Sequence, residues 1–170
     1  MEFCILTKEE IHDFWELRLH GLREHPELFS ASYEEFVRRP IGEVMESFPE
    51  ENNHFVLGAF MNEQLVGIAG FRQEKGEKIR HKGTIWGVYV NPDSQGGGIG
   101  KQLISALLET IKQQLPELEQ IHLMVGSHND KAKKLYESFG FRTYGTEKQS
   151  LKINETQYID EDHMVLIFKK

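Results

Sequence analysis

One segment of this chain constrains its fold more than any other: Val88-Tyr89-Val90-Asn91-Pro92-Asp93-Ser94-Gln95-Gly96-Gly97-Gly98-Ile99-Gly100-Lys101. A β-branched strand runs into a Pro turn, then a glycine cluster, then an amphipathic helix. That order sets bare backbone N–H groups at a helix N-terminus, where they suit a phosphate-bearing ligand. Strand, loop and helix in this sequence belong to a layered α/β protein.

Counting decides which phosphate loop this is. A Walker A loop needs Gly, four residues, then Gly-Lys; counted back from Gly100-Lys101 the first position is Gln95 instead of Gly, and Gln102 replaces the Ser or Thr after the lysine. A dinucleotide fingerprint started at Gly96 and Gly98 ends on Lys101, where a third glycine is required. What remains is Gln95-x-x-Gly98-x-Gly100.

The rest of the chain supplies an alternating series of elements. Residues 3–6 read as a first strand, and Thr7-Lys8-Glu9-Glu10 has the form of a capping box opening a helix through Ile11, Phe14, Trp15, Leu17 and Leu19. Gly21 and Pro26 are expected to break that helix. Ser32-Tyr33-Glu34-Glu35 opens another, ending near Arg39-Pro40. Residues 54–60 and 65–72 read as a hairpin, and residues 84–90 as the strand before the glycines. Ile99, Leu103, Ile104, Leu107, Leu108, Ile111 and Leu115 mark one face of a strong helix. Residues 121–125 read as a strand covered on both faces. Asn129 caps a short helix that stops at Gly140. Residues 141–152 and 162–168 supply two last strands. The order β-α-α-β-β-β-α-β-α-β-β implies a mixed sheet with helices on both faces.

Composition limits the function classes. With 170 residues and no repeat or long linker, one domain spanning 1–170 is expected. A net charge of -7 argues against general nucleic-acid binding. No apolar run is long enough to span a bilayer, so no membrane association is expected. The single cysteine, Cys4, cannot form an internal disulfide and reads as a buried structural thiol. A cytoplasmic protein is the resulting expectation. The histidines show no zinc-ligand spacing with cysteines, so no metal is expected.

The loop Gln95-x-x-Gly98-x-Gly100 resembles the acyl-CoA loop, (Arg/Gln)-x-x-Gly-x-(Gly/Ala), of the GNAT N-acetyltransferase superfamily. Trp86-Gly87-Val88-Tyr89-Val90-Asn91-Pro92 resembles the strand that precedes it. Asn129-x-x-Ala132-x-x-Leu135-Tyr136-x-x-Phe139-Gly140-Phe141 resembles the family's next signature. The specific likeness runs from about 84 to 141. It implies a GNAT fold: a mixed central sheet of six to seven strands with a splayed parallel pair, here residues 84–90 and 121–125.

The resemblance also implies a reaction, transfer of the acetyl group of acetyl-CoA to a primary amine by direct attack. It assigns cofactor binding to Val88, Tyr89, Val90, Gln95, Gly96, Gly97, Gly98, Ile99, Gly100, Lys101 and Asn129. Tyr136 takes the place of the tyrosine that returns a proton to the departing thiolate. On spacing alone Tyr136 belongs to the apolar stripe of its helix, and Asn129 is an N-cap. Both pairs of readings stand together. Gly87 marks either a bulge that opens the strand pair or a point of close packing. Glu24, Glu27, His25 and His81 are candidate bases by chemistry only. A small-molecule amine is the preferred acceptor. The alternatives are a peptide N-terminus or lysine, a different acyl donor, and a non-catalytic CoA sensor. A homodimer stays open.

Overall fold

The structure, a computed structural model, describes residues 1–94 and 97–168. Gln95 and Gly96 of the glycine loop lie outside the described residues. The first strand, β1 (Glu2–Ile5), is followed by the expected capping box. The Glu9 N–H donates to Thr7 Oγ1 (3.2 Å), and the Thr7 N–H donates to Glu10 Oε2 (2.7 Å). The box caps a 3-10 turn that continues into α1 (Ile11–Glu24).

Gly21 does not break α1. A Cβ at this position would stand 3.1 Å from the ring of Tyr89, so the glycine allows helix and sheet to approach closely. The helix after Ser32 is shorter than expected: α2 covers Tyr33–Phe36, with Glu35 N–H donating to Ser32 Oγ at 3.3 Å. Pro40 then separates it from α3 (Ile41–Glu46), because the residue before a proline is pushed out of the helical region.

A two-residue strand β2 (Glu50–Glu51) leads to the hairpin of β3 (His54–Met61) and β4 (Gln64–Gln73). Its turn residues Asn62 and Glu63 both take positive φ (50° and 65°), the twist that two-residue hairpins favour. Then come β5 (Lys82–Val90), α4 (Ile99–Gln114), β6 (Gln120–Gly126), α5 (Asp130–Ser138), β7 (Arg142–Lys152) and β8 (Tyr158–Ile167).

The strands form one mixed sheet in the order β1-β3-β4-β5-β6-β8-β7, with β2 paired to β3. The β5–β6 pair is parallel and the others are antiparallel. Two cores lie on opposite faces. One holds α4 residues such as Leu103, Leu107 and Ile111 with Phe71, Ile121, Tyr136 and Met164. The other holds Ile11, Phe14 and Leu22 of α1 with Val56, Ile68 and Tyr89. The apolar stripe read for α4 is the face it buries.

Three expectations need correction. Cys4 is exposed, because on edge strand β1 it is Phe3 and Ile5 that turn towards the core. The strand β6 is fully covered on one face only: Ile121, Leu123 and Val125 are buried, whereas on the other face Met124 is 53% exposed. And β8 starts at Tyr158, earlier than position 162, because its acidic residues are partnered. Glu161 accepts from Ser150 Oγ, and Asp162 accepts from Ser127 and Thr146.

Candidate active site

The site begins where the two parallel strands part. Lys82, Gly83 and Thr84 pair with Gln120, Ile121 and His122, and the pairing stops there. From Ile85 onward the strand pairing of β5 among the described residues is with β4, and its other edge borders the gap. The divergence has a local cause at Gly87, which takes φ +62°. Ile68 pairs with Tyr89 and Gly70 with Trp86, so Ala69 faces both Gly87 and Val88. That is the bulge left open by the sequence. It turns Val88 and Val90 towards the α4 core and Tyr89 towards α1.

The gap opens into a cleft of about 720 Å³. From β5 it is lined by Ile85 to Val90, from β6 by Leu123 to Gly126, and from α4 by Gly98, Ile99, Gly100 and Lys101. Asn129, Ala132, Leu135 and Tyr136 close the α5 side. Val88, Tyr89, Val90, Gly98, Ile99, Gly100, Lys101, Asn129 and Tyr136, scattered over 49 positions of sequence, thus meet at one cavity. Gly97 flanks that group.

Gly97 and Gly98 have φ of +59° and +73°, a region costly for residues with a side chain. Gly98 is the N-cap of α4, and among the described residues no heavy atom beyond the adjoining backbone lies within 4 Å of where a Cβ would sit on either. The Gln102 side chain donates to the Gly97 carbonyl (2.9 Å) and pins the loop. The first N–H groups of α4 have no intrahelical acceptor, so they face the open space with the positive end of the helix dipole. Lys101, Lys131 and Lys134 all line the cleft and give its rim positive charge in a protein of net charge -7. The sequence reading named only Lys101, since lysines on exposed helix turns look alike.

On α5, Asn129 is an N-cap whose Oδ1 accepts from Ala132 N–H (3.1 Å), which leaves its amide NH₂ for other partners. Tyr136 is 7% exposed and stands edge-on to Phe141 at 5.9 Å. Burial pushes its phenol up to about 12, so the hydroxyl stays protonated and can donate. Lys133 and Asp162 tether this helix to the sheet through a 2.6 Å ion pair.

The opposite wall comes from a segment without periodicity. His25, Leu28 and Phe29 follow α1 and face Trp86 across the cleft. Of the candidate bases, His25 alone lines the cavity, and Glu27 stands 3.5 Å behind its Nδ1. Glu24 is bound to Arg23 (2.8 Å), and His81 lies before β5, at the end away from the gap. Tyr89 donates or accepts a 2.9 Å bond with His20 Nδ1, which fixes its ring on the α1 side. Among the described residues, no group of three His, Cys, Asp or Glu is placed to hold a metal ion.

Arg18 of α1 lies behind this wall and was not singled out in the sequence. It is 8% exposed, its guanidinium carbon is 4.6 Å from the Phe29 ring centre, and its Nη1 has no hydrogen-bond partner. Burial lowers its pKa to about 10, so it keeps its charge at neutral pH. A desolvated cation–π contact contributes about 2 kcal/mol, less than the several kcal/mol that desolvating an ion costs.

A strand gap, a glycine-capped helix start and a buried phenol together define an α/β protein built to seat a phosphate-bearing ligand between two strands. The family model for the acetyltransferase (GNAT) family matches residues 13–141. The chain belongs to that family, whose members use acetyl-CoA. It is 41% identical over 100 residues to a mycothiol acetyltransferase of Saccharomonospora viridis, covering 54% of this chain and 32% of that protein. It is 31% identical over 103 residues to the N-alpha-acetyltransferase RimI of Mycobacterium tuberculosis, covering 61% of each. The chain therefore spans about a third of the mycothiol acetyltransferase it matches. An acetyltransferase from Salmonella typhimurium, solved with its cofactor acetyl-CoA, shares the fold with a TM-score of 0.77 at 19% identity, covering 100% of this chain and 95% of that one. No described helix is long and apolar enough to cross a membrane.

Proposed function

We propose that residues 1–170 form a single N-acetyltransferase domain that moves the acetyl group of acetyl-CoA to a primary amine by direct attack. The observation that carries this reading is the strand gap. Pairing of β5 with β6 ends at Thr84 and His122, and the helix-start cradle and Tyr136 both line the cavity beyond.

In this reading, the loop around Gly97 and Gly98 and the first N–H groups of α4 take the pyrophosphate, with Lys101 beside them. The pantetheine arm lies along the edge of β5 that borders the gap, using main-chain groups of Val88 and Val90 as an added strand would. Asn129 offers its amide to the same arm. A main-chain N–H near the bulge at Gly87 faces the thioester oxygen and stabilises negative charge as the amine adds.

The amine must be neutral to attack, whereas a free alkylammonium has a pKa near about 10. His25 is placed to take that proton, with Glu27 behind it to hold the imidazole and its charge. Nitrogen then forms its bond to the acetyl carbon as the carbon–sulfur bond breaks. Tyr136 donates its proton to the departing sulfur, and the proton that the acylated nitrogen then loses returns through water to restore the phenol. No acyl-enzyme is needed: the described lining residues include no cysteine, and their one serine, Ser138, donates its hydroxyl to the Leu135 carbonyl at 2.6 Å.

The acceptor in this reading is a small-molecule amine. A peptide N-terminus is the second reading, supported by the likeness to the N-alpha-acetyltransferase. The deciding experiment incubates the protein with acetyl-CoA and a panel of small amines and peptides, following thiol release. Turnover with small amines supports the proposal, and turnover confined to peptides moves the acceptor to the second reading. Stabilisation by CoA without turnover on any amine would leave a CoA sensor.

A further inference from the structure

We infer that Arg18 is the anchor for a carboxylate carried by the acceptor, so that the amine acetylated is that of an α-amino acid or a close analogue. The inference rests on the acetyltransferase reading for the identity of the amine, but the anion site has a structural basis of its own.

The Arg18 guanidinium is buried and its Nη1 has no hydrogen-bond partner. No carboxylate pairs with it among the described residues, and burial alone shifts its titration. The Phe36 ring that it approaches is shared with another cation: the Arg39 guanidinium lies 5.5 Å from the ring centre, and that of Arg18 6.0 Å from it. Contacts with two rings offset only part of the desolvation of an ion, so the site as it stands favours an incoming anion.

Position gives that anion a purpose. Nη1 lies 3.2 Å from where a Cβ on Gly87 would sit, so the cation stands directly beside the bulge. Gly87 and Phe29 both line the cleft, and the guanidinium, which does not, lies against both. In an α-amino acid the carboxylate is two bonds from the amine, so a carboxylate held by Arg18 keeps the nitrogen beside the bulge. The planar guanidinium also matches a carboxylate in geometry. The Phe29 ring is the group that must move aside, and its N–H makes only a long 3.4 Å bond to the Pro26 carbonyl. Around that point Leu28, Phe29 and Trp86 offer apolar surface for the side chain.

The test uses L-leucine, L-phenylalanine and their carboxamides, which keep the amine and lose the charge. Binding to the CoA-saturated protein is measured by calorimetry, and acetyl transfer is measured separately. The expected result is at least about ten-fold tighter binding of each acid than of its amide. Arg18→Met should collapse that preference, with Arg18→Lys between the two. Arg18→Met should also melt no lower than the wild type, because an unpaired buried charge has been replaced by an apolar chain. Equal affinity of acid and amide, or no binding of either, would overturn the inference from the wild type alone. An acid preference without acetyl transfer would keep the anion site and remove the transferase reading.

Discussion

Lys133 on α5 and Asp162 on β8 meet at 2.6 Å, and the same carboxylate accepts bonds of 2.7 Å from Ser127 and from Thr146. These bonds tie the helix that carries Asn129 and Tyr136 to strand β8 inside the sheet. With Lys133, Ser127 and Thr146 around it, the Asp162 carboxyl is held down to about 2, below its ordinary 3.8. A depressed carboxylate stabilises the fold above its unfolded pKa and ceases to as pH falls through the folded value. Asp162→Asn should therefore cost about 1.5–3 kcal/mol at neutral pH. Urea melts of both proteins should show that difference shrinking between pH 4 and pH 2. CoA affinity of the variant should fall as α5 loosens.

That tether is invisible in the sequence, and the reason is physical. Its members come from β6, α5, β7 and β8, and an acidic run at Asp160 to Asp162 looks solvated until its partners are known. The same holds for Arg18, His25 and Phe29, whose approach to the cleft is set by how α1 lies on Tyr89 and not by any period. What was legible had local causes. The glycine loop follows from backbone freedom, α4 from its apolar stripe, and the hairpin from alternation around a turn. Cys4 was misread because an apolar run does not say that its strand will be an edge.

Gly98 caps α4 at φ +73° with open space around the missing Cβ. Gly98→Ala therefore costs backbone strain of about 1–2 kcal/mol. It also forces the loop away from the conformation that presents the α4 N–H groups. The expected outcome is a CoA affinity at least about ten-fold weaker, measured by calorimetry, with a smaller loss in thermal stability. An unchanged affinity would place the pyrophosphate elsewhere.

Gly21 sits in the last turn of α1 against the Tyr89 ring, which is 4% exposed and tied to His20. The ring has no room to retreat. Gly21→Val should destabilise the protein by about 1–3 kcal/mol through overpacking, despite the better helix propensity of valine. Denaturant unfolding monitored by tyrosine and tryptophan fluorescence reads this directly. A variant as stable as the wild type would mean that α1 can lift off the sheet without loss.

Tyr136→Phe separates the two roles of one residue. The ring is retained against Phe141, so the fold should survive with its neutral-pH stability changed by less than about 1.5 kcal/mol. The hydroxyl is lost, and with it the donor to the leaving thiolate, so kcat should fall by about 10²–10⁴ while CoA binding persists. The alkaline limb provides a second, independent reading. The phenol of Tyr136 is pushed by burial up to about 12 from 10, so its protonated form favours the folded state. That contribution is complete below about pH 10 and is lost as pH rises towards 12. Tyr136→Phe should lose less stability over that window than the wild type in parallel chemical melts. Normal turnover in the variant would remove Tyr136 as the acid, and the alkaline melts would still report whether its ring is buried as a neutral phenol.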